Sequence, residues 1–171
     1  MDASPDDGAR ARALASPLRM RILRLCLHEP RTNKELAEEL GLNPGSMLHH
    51  VRSLVATGFL EAAEPRRGAR GAREVPYRAT RRSWRTPVPG VGPILLETFL
   101  QEIEGLAPDD ISATRLGLKL TAENRAEMLA EFEAVFQRWA SRPADPDGDP
   151  ISLFFAEHPD LPRRDRGRDR G

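Results

Sequence analysis

Ser46, His49 and Arg52 recur at steps of three residues, so on a helix turning about 100° per residue they share one side. A hydroxyl, an imidazole and a guanidinium on one exposed side are hydrogen-bonding groups that need no buried charge. Their chemistry is recognition of polar edges and anions. Gly45 beside them permits close approach. Leu48 lies on the flank, where it can pack inward or meet a methyl group.

Arginine dominates the chain a little further on. From 66 to 85 there are eight arginines against one acid, Glu74, a local net charge of +7. Arg66, Arg67, Arg70 and Arg73 surround Gly68 and Gly71, and planar guanidinium donors on such a loop suit phosphates or a narrow minor groove. A solvated helix face and a solvated loop tip are the plain alternatives.

The elements that position these groups are written in capping residues. Thr32 with Glu35 forms a capping box, Gly41 supplies a turn, Asn43 and Pro44 set the N-cap and first position of the next helix, and Gly58 stops it. Met47, Val51 and Leu54, edged by His50 and Val55, form the side of that helix that packs on the preceding helices. Two short helices joined by a tight turn are a helix-turn-helix arrangement. FLEAAEP, RRGARGAR and EVPYRAT then read as a hairpin, a wing. The expected partner is double-stranded DNA. Asn43, Gly45, Ser46, Leu48, His49 and Arg52 would form the recognition helix contacts, Thr32 and Lys34 would reach the DNA backbone, and Arg66, Arg67, Arg70 and Arg73 would be the wing contacts.

LASPLRMRILRLC, TNKELAEELGLNPGSMLHHVRSLVATGFLE and the arm around Tyr77 resemble the winged-helix domain of ArsR-like bacterial transcriptional regulators, from about Leu14 to Thr80. The resemblance implies that the helix beginning at Pro44 is the recognition helix, with Ser46 and His49 facing DNA, and that the chain is a homodimer and a repressor. Metal-sensing members carry a cysteine pair in the helix that here reads KELAEEL, and this chain has none there. Others place carboxylates and histidine in the terminal helix, and no histidine lies between Arg52 and Gln137. The resemblance therefore supports DNA binding and withholds metal sensing.

Other chemistries find little to work with. His49 and His50 are adjacent and diverge by about 100° on a helix; His28, His158 and the lone Cys26 are scattered. No metal or cofactor is expected. Glycine-rich phosphate loops, nucleophile elbows and zinc-binding histidine pairs are absent, and Asp109 with Asp110 reads as the entry to a helix or strand, so no enzyme is expected. A winged helix that binds protein is the rival reading.

The chain has 171 residues, with 26 basic and 26 acidic side chains. Residues 1 to 90 hold 16 Lys and Arg against 10 Asp and Glu, whereas 91 to 171 hold 10 against 16. The basic half is the electrostatic footprint. No membrane-length apolar run and no secretory leader is read, and one cysteine fits a reducing cytoplasm.

The expected fold is α+β, in two parts. Residues 1–13 are read as a flexible N-terminus, 14–86 as the winged helix-turn-helix, 87–93 as a linker, 94–160 as a small helix-strand-helix-strand region and 161–171 as a disordered basic tail. In the second region ILLETFLQEIEGL and the helix after Thr121 are helical, and ATRLGLKL and ISLFFAEHP alternate as strands do. Phe99, Phe132, Phe136 and Trp139 are assigned to a dimer interface or, alternatively, to a pocket for a small-molecule effector.

Overall fold

The computed structural model describes residues 5–68, 71–86 and 88–160, which fall into two units, divided after Leu106.

The first unit opens with α1 (Pro5–Leu14), so much of the expected flexible N-terminus is helical. Asp6 and Asp7 occupy the first turn, where negative charge is favoured, and Arg10 reaches Asp6 at 2.8 Å and Asp7 at 3.8 Å. At the far end Arg19 donates to the carbonyls of Ala13 and Arg12 at 2.5 and 2.6 Å, covering acceptors that the helix leaves open. Ala13 and Leu14 are buried. α2 (Pro17–Leu25) follows from Ser16, whose side chain accepts from the Arg19 N–H, and buries Ile22 and Leu23.

β1 (Arg31–Thr32), α3 (Asn33–Glu39) and α4 (Pro44–Ala56) come next. The capping box at Thr32 and Glu35 is formed, and Gly41 and Gly58 adopt φ of 65° and 74°, which residues with a Cβ rarely occupy. After Gly58 the chain makes β2 (Leu60–Ala62), β3 (Arg66–Arg67), β4 (Arg73–Glu74) and β5 (Pro76–Ala79). β1, β5 and β2 form one antiparallel sheet in that order, with Arg31 opposite Tyr77 and Leu60 opposite Ala79, while β3 and β4 pair beyond it as the wing arm. Leu36, Met47, Val51, Leu54 and Phe59 close over Ile22 and Cys26 in the core. Burial pushes the Cys26 thiol up to about 11, so it behaves as an apolar side chain.

α5 (Gly92–Ile103) also belongs to the first unit. It packs on α2, and Arg24 meets Glu102 at 2.8 Å. Val88 rests against the core, so the proline-rich stretch read as a linker does not divide the units; the division falls beyond α5, after Leu106.

The second unit is built on α6 (Ala122–Ala140), capped by Thr121, whose side chain accepts from the Asn124 N–H at 3.2 Å. Phe155 meets Phe132 and Phe136 at ring distances of 4.8 and 5.7 Å, and Arg125 grips Glu157 through two bonds of 2.7 and 2.8 Å. Neither expected strand forms. ATRLGLKL and ISLFFAEHP have no ladder partner among the described residues, and Leu116 and Ile151 remain 73% and 79% exposed. Alternating apolar residues specify a strand only when another strand supplies hydrogen bonds. The expected helix-strand-helix-strand region is therefore corrected: both of its helices form, α5 in the first unit and α6 in the second, and neither strand does. The tail at 161–171 lies outside the described residues.

Candidate nucleic-acid interface

α4 separates its two faces by composition. Met47, Val51 and Leu54 are fully buried, while Gly45, Ser46, His49 and Arg52 are exposed, as their angular positions require. Leu48 is half-buried on the flank. Val55, read as an edge of the packing face, is 39% exposed.

The start of α4 is fixed by local bonds. Asn43 is the N-cap and its Oδ1 accepts from the Gly45 N–H at 2.8 Å, so that oxygen is committed to the helix. A Cβ on Gly45 would stand 3.1 Å from it, which is tight. Asn33, at the start of α3, donates from Nδ2 to the Pro44 carbonyl at 2.9 Å and ties the two helices together across their turn. Sequence reading missed this bond, although an Asn directly after a capping Thr and eleven residues before Pro44 was the available signal.

The two histidines serve different surroundings. Their rings meet edge to face at 5.8 Å; His49 faces out, and His50 sits half-buried with its Nδ1 lacking a partner. Burial holds His50 below its ordinary value, with the Arg19 guanidinium and His49 adding to the effect. Neutral imidazole is thus the form favoured on this half-buried flank of α4.

Thr32 departs from its assignment. It is 4% exposed, its N–H donates to Glu35 Oε2 at 2.8 Å and its hydroxyl lies 3.0 Å from the same oxygen, so it holds α3 in place and is closed to a DNA phosphate. Pairing of β1 with β5 buries it, a tertiary effect that the capping signal does not contain. Lys34 is exposed, 3.7 Å from Glu38 one turn on.

In the wing, Arg67 and Arg73 are exposed and directly opposite in register. Like charges opposed across a ladder repel, and a bound anion would remove that repulsion. Arg70 lies outside the described residues. Arg66 is spoken for, because its guanidinium pairs with Glu35 Oε1. Bonds from the Thr32 backbone, then its hydroxyl and the Arg66 charge, hold the Glu35 carboxyl below the usual carboxylate range, against an opposing effect of burial. A Cβ on Gly68 would stand 2.2 Å from the carboxyl end of the Glu74 side chain, which would have to swing aside.

The aromatic residues assigned to an interface or pocket do not form one set within a unit. Phe99 belongs to the first unit and Phe132, Phe136 and Trp139 to the second, where Phe132 and Phe136 join Phe155 and Trp139 lies under Arg142, 5.2 Å from its ring centre. Among the described residues, no group of three potential metal ligands is assembled and no helix is long and apolar enough to cross a membrane.

A family model described as a helix-turn-helix domain matches residues 14–62. No curated protein matches the chain. Solved structures similar to it include the adhesin competence repressor AdcR of Streptococcus pyogenes, 22% identical over 73% of this chain and 81% of that one at a TM-score of 0.37. An ArsR-like transcriptional regulator of Rhodococcus sp. RHA1 is 20% identical over 80% and 95% at 0.37, and the regulator BldR of Sulfolobus solfataricus is 21% identical over 71% and 73% at 0.35. At such scores the likeness carries no weight; the matched domain and the local geometry do. Residues 14–62 match a helix-turn-helix domain of the ArsR type, and with the β3 and β4 hairpin after them they form a winged helix-turn-helix.

Proposed function

We propose that the chain is a cytoplasmic, sequence-specific repressor that binds an inverted repeat as a homodimer and takes its signal through its second unit rather than through a metal. The observation that carries base reading is the exposed face of α4, where Ser46, His49 and Arg52 stand over a fully buried Met47, Val51 and Leu54. The hydroxyl, imidazole and guanidinium match acceptor and donor edges in the major groove, and Arg67 with Arg73 offers a paired cation to the phosphates of an adjacent groove. Dimerisation draws support from the second unit. None of its described residues is buried, and Leu116, Trp139, Ile151 and Leu153 are all more than half exposed. Absence of a metal signal rests on a helix α3 without cysteine and a Cys26 sealed in the core.

Nuclease footprinting on genomic fragments tests this reading. The expected result is a protected inverted repeat whose half-sites lie about one helical turn, or a multiple of it, apart, together with lower transcription from a linked reporter. Weak binding with no preferred sequence, or protection of a single half-site by a monomer, would count against it.

A further inference from the structure

Glu35 uses its two oxygens on two different elements. Oε2 accepts from the Thr32 N–H and lies 3.0 Å from its hydroxyl, completing the cap of α3, while Oε1 accepts from the guanidinium of Arg66, 31 residues along the chain. One carboxylate thus clamps the first turn of α3 to the first strand of the wing arm. Side chains alternate along a strand, so if Arg66 points to Glu35, Arg67 points to the other face of the ribbon, where Arg73 stands opposite it.

We propose that Glu35 is a positioning residue for DNA binding: through Arg66 it fixes the wing against α3, so that Arg67 and Arg73 meet the phosphates and Arg66 does not. This rests on the DNA-binding reading of the chain. Simple electrostatics predicts the opposite. A carboxylate near a polyanion weakens binding by repulsion, so deleting its charge should tighten the complex. Deleting a strut should loosen it.

Glu35→Gln separates the two effects, because glutamine also completes a capping box while the charged bond to Arg66 is lost. The probe is a duplex that the wild-type full-length chain selects from a random-sequence pool, with affinity read by fluorescence anisotropy across a salt series. Glu35→Gln is expected to weaken binding about two- to fivefold, the range of an exposed ion pair, with the salt slope unchanged. Arg66→Ala should lose as much, again at constant slope, and the double variant should be no weaker than Arg66→Ala. Arg66→Lys should recover most of the loss, since an ammonium can still reach the carboxylate. Arg67→Ala, by contrast, should reduce the slope by about 0.9, the value of one phosphate contact. Equal or tighter binding by Glu35→Gln overturns the proposal, as do losses that multiply in the double variant, or a slope change in Arg66→Ala matching that of Arg67→Ala. If the wild-type chain selects no duplex at all, the DNA-binding reading itself falls and this proposal with it.

Discussion

Leu54 and Val55 are neighbours on α4 whose truncation should differ sharply in cost. Leu54 is fully buried in the same core cluster as Ile22, Met47 and Phe59, whereas Val55 is 39% exposed. Leu54→Ala removes three buried carbons, about 2.4 kcal/mol at roughly 0.8 kcal/mol each. The unfilled space raises the total to about 3 to 4 kcal/mol, within the range seen for buried leucines. Val55→Ala removes two partly wetted methyls, and alanine's better helix propensity returns about 0.5 kcal/mol, so its net cost should stay under about 1 kcal/mol. The expected gap is therefore about 2 to 3 kcal/mol. Urea unfolding followed by tryptophan fluorescence measures it, in a Trp139→Phe background so that Trp84 of the first unit is the sole reporter. The slope with urea should be the same for both variants. Equal costs would show that the division of α4 into a packing face and a reading face is wrong.

His50 and α5 supply two further tests. Because folding lowers the His50 value, the native state binds fewer protons there than the unfolded chain; stability is full above the ordinary value of 6.5 and falls as pH drops through it towards the depressed one. Urea titrations at pH 7.5 and 5.5 should show a smaller fall for His50→Gln than for wild type, and an equal fall would show that His50 is not its source. Truncation after Leu106 should leave a folded first unit, whereas truncation after Pro87 strips α5 from α2 with the Arg24 to Glu102 pair; equal melting temperatures for the two would contradict the packing of α5.

Local signals were legible in the sequence and tertiary ones were not. The capping box, the Asn43 and Pro44 start of α4 and the stop at Gly58 are written in a few adjacent residues, and the structure has each of them. The apolar side of α4 was legible because its period is set by helix geometry alone. α1 escaped notice because its sequence offers little apolar pattern and its last carbonyls are covered by Arg19 from the next helix. The burial of Thr32 depends on β5, more than 40 residues away, and the pairing of Arg66 depends on Glu35 across the fold. The alternation in ATRLGLKL and ISLFFAEHP describes side chains only; it says nothing about whether a strand is available to pair with them.

The central claim is that the exposed face of α4 reads bases. Selecting duplexes from a random pool with wild type, Ser46→Ala, His49→Ala and Arg52→Ala, then comparing the preferred sequences, tests it most directly. Each alanine should relax preference at particular positions of the half-site, by about 1 to 3 kcal/mol for a good base contact, and leave the other positions as they were. Variants that all select the wild-type sequence, with only a uniform loss of affinity, would contradict it.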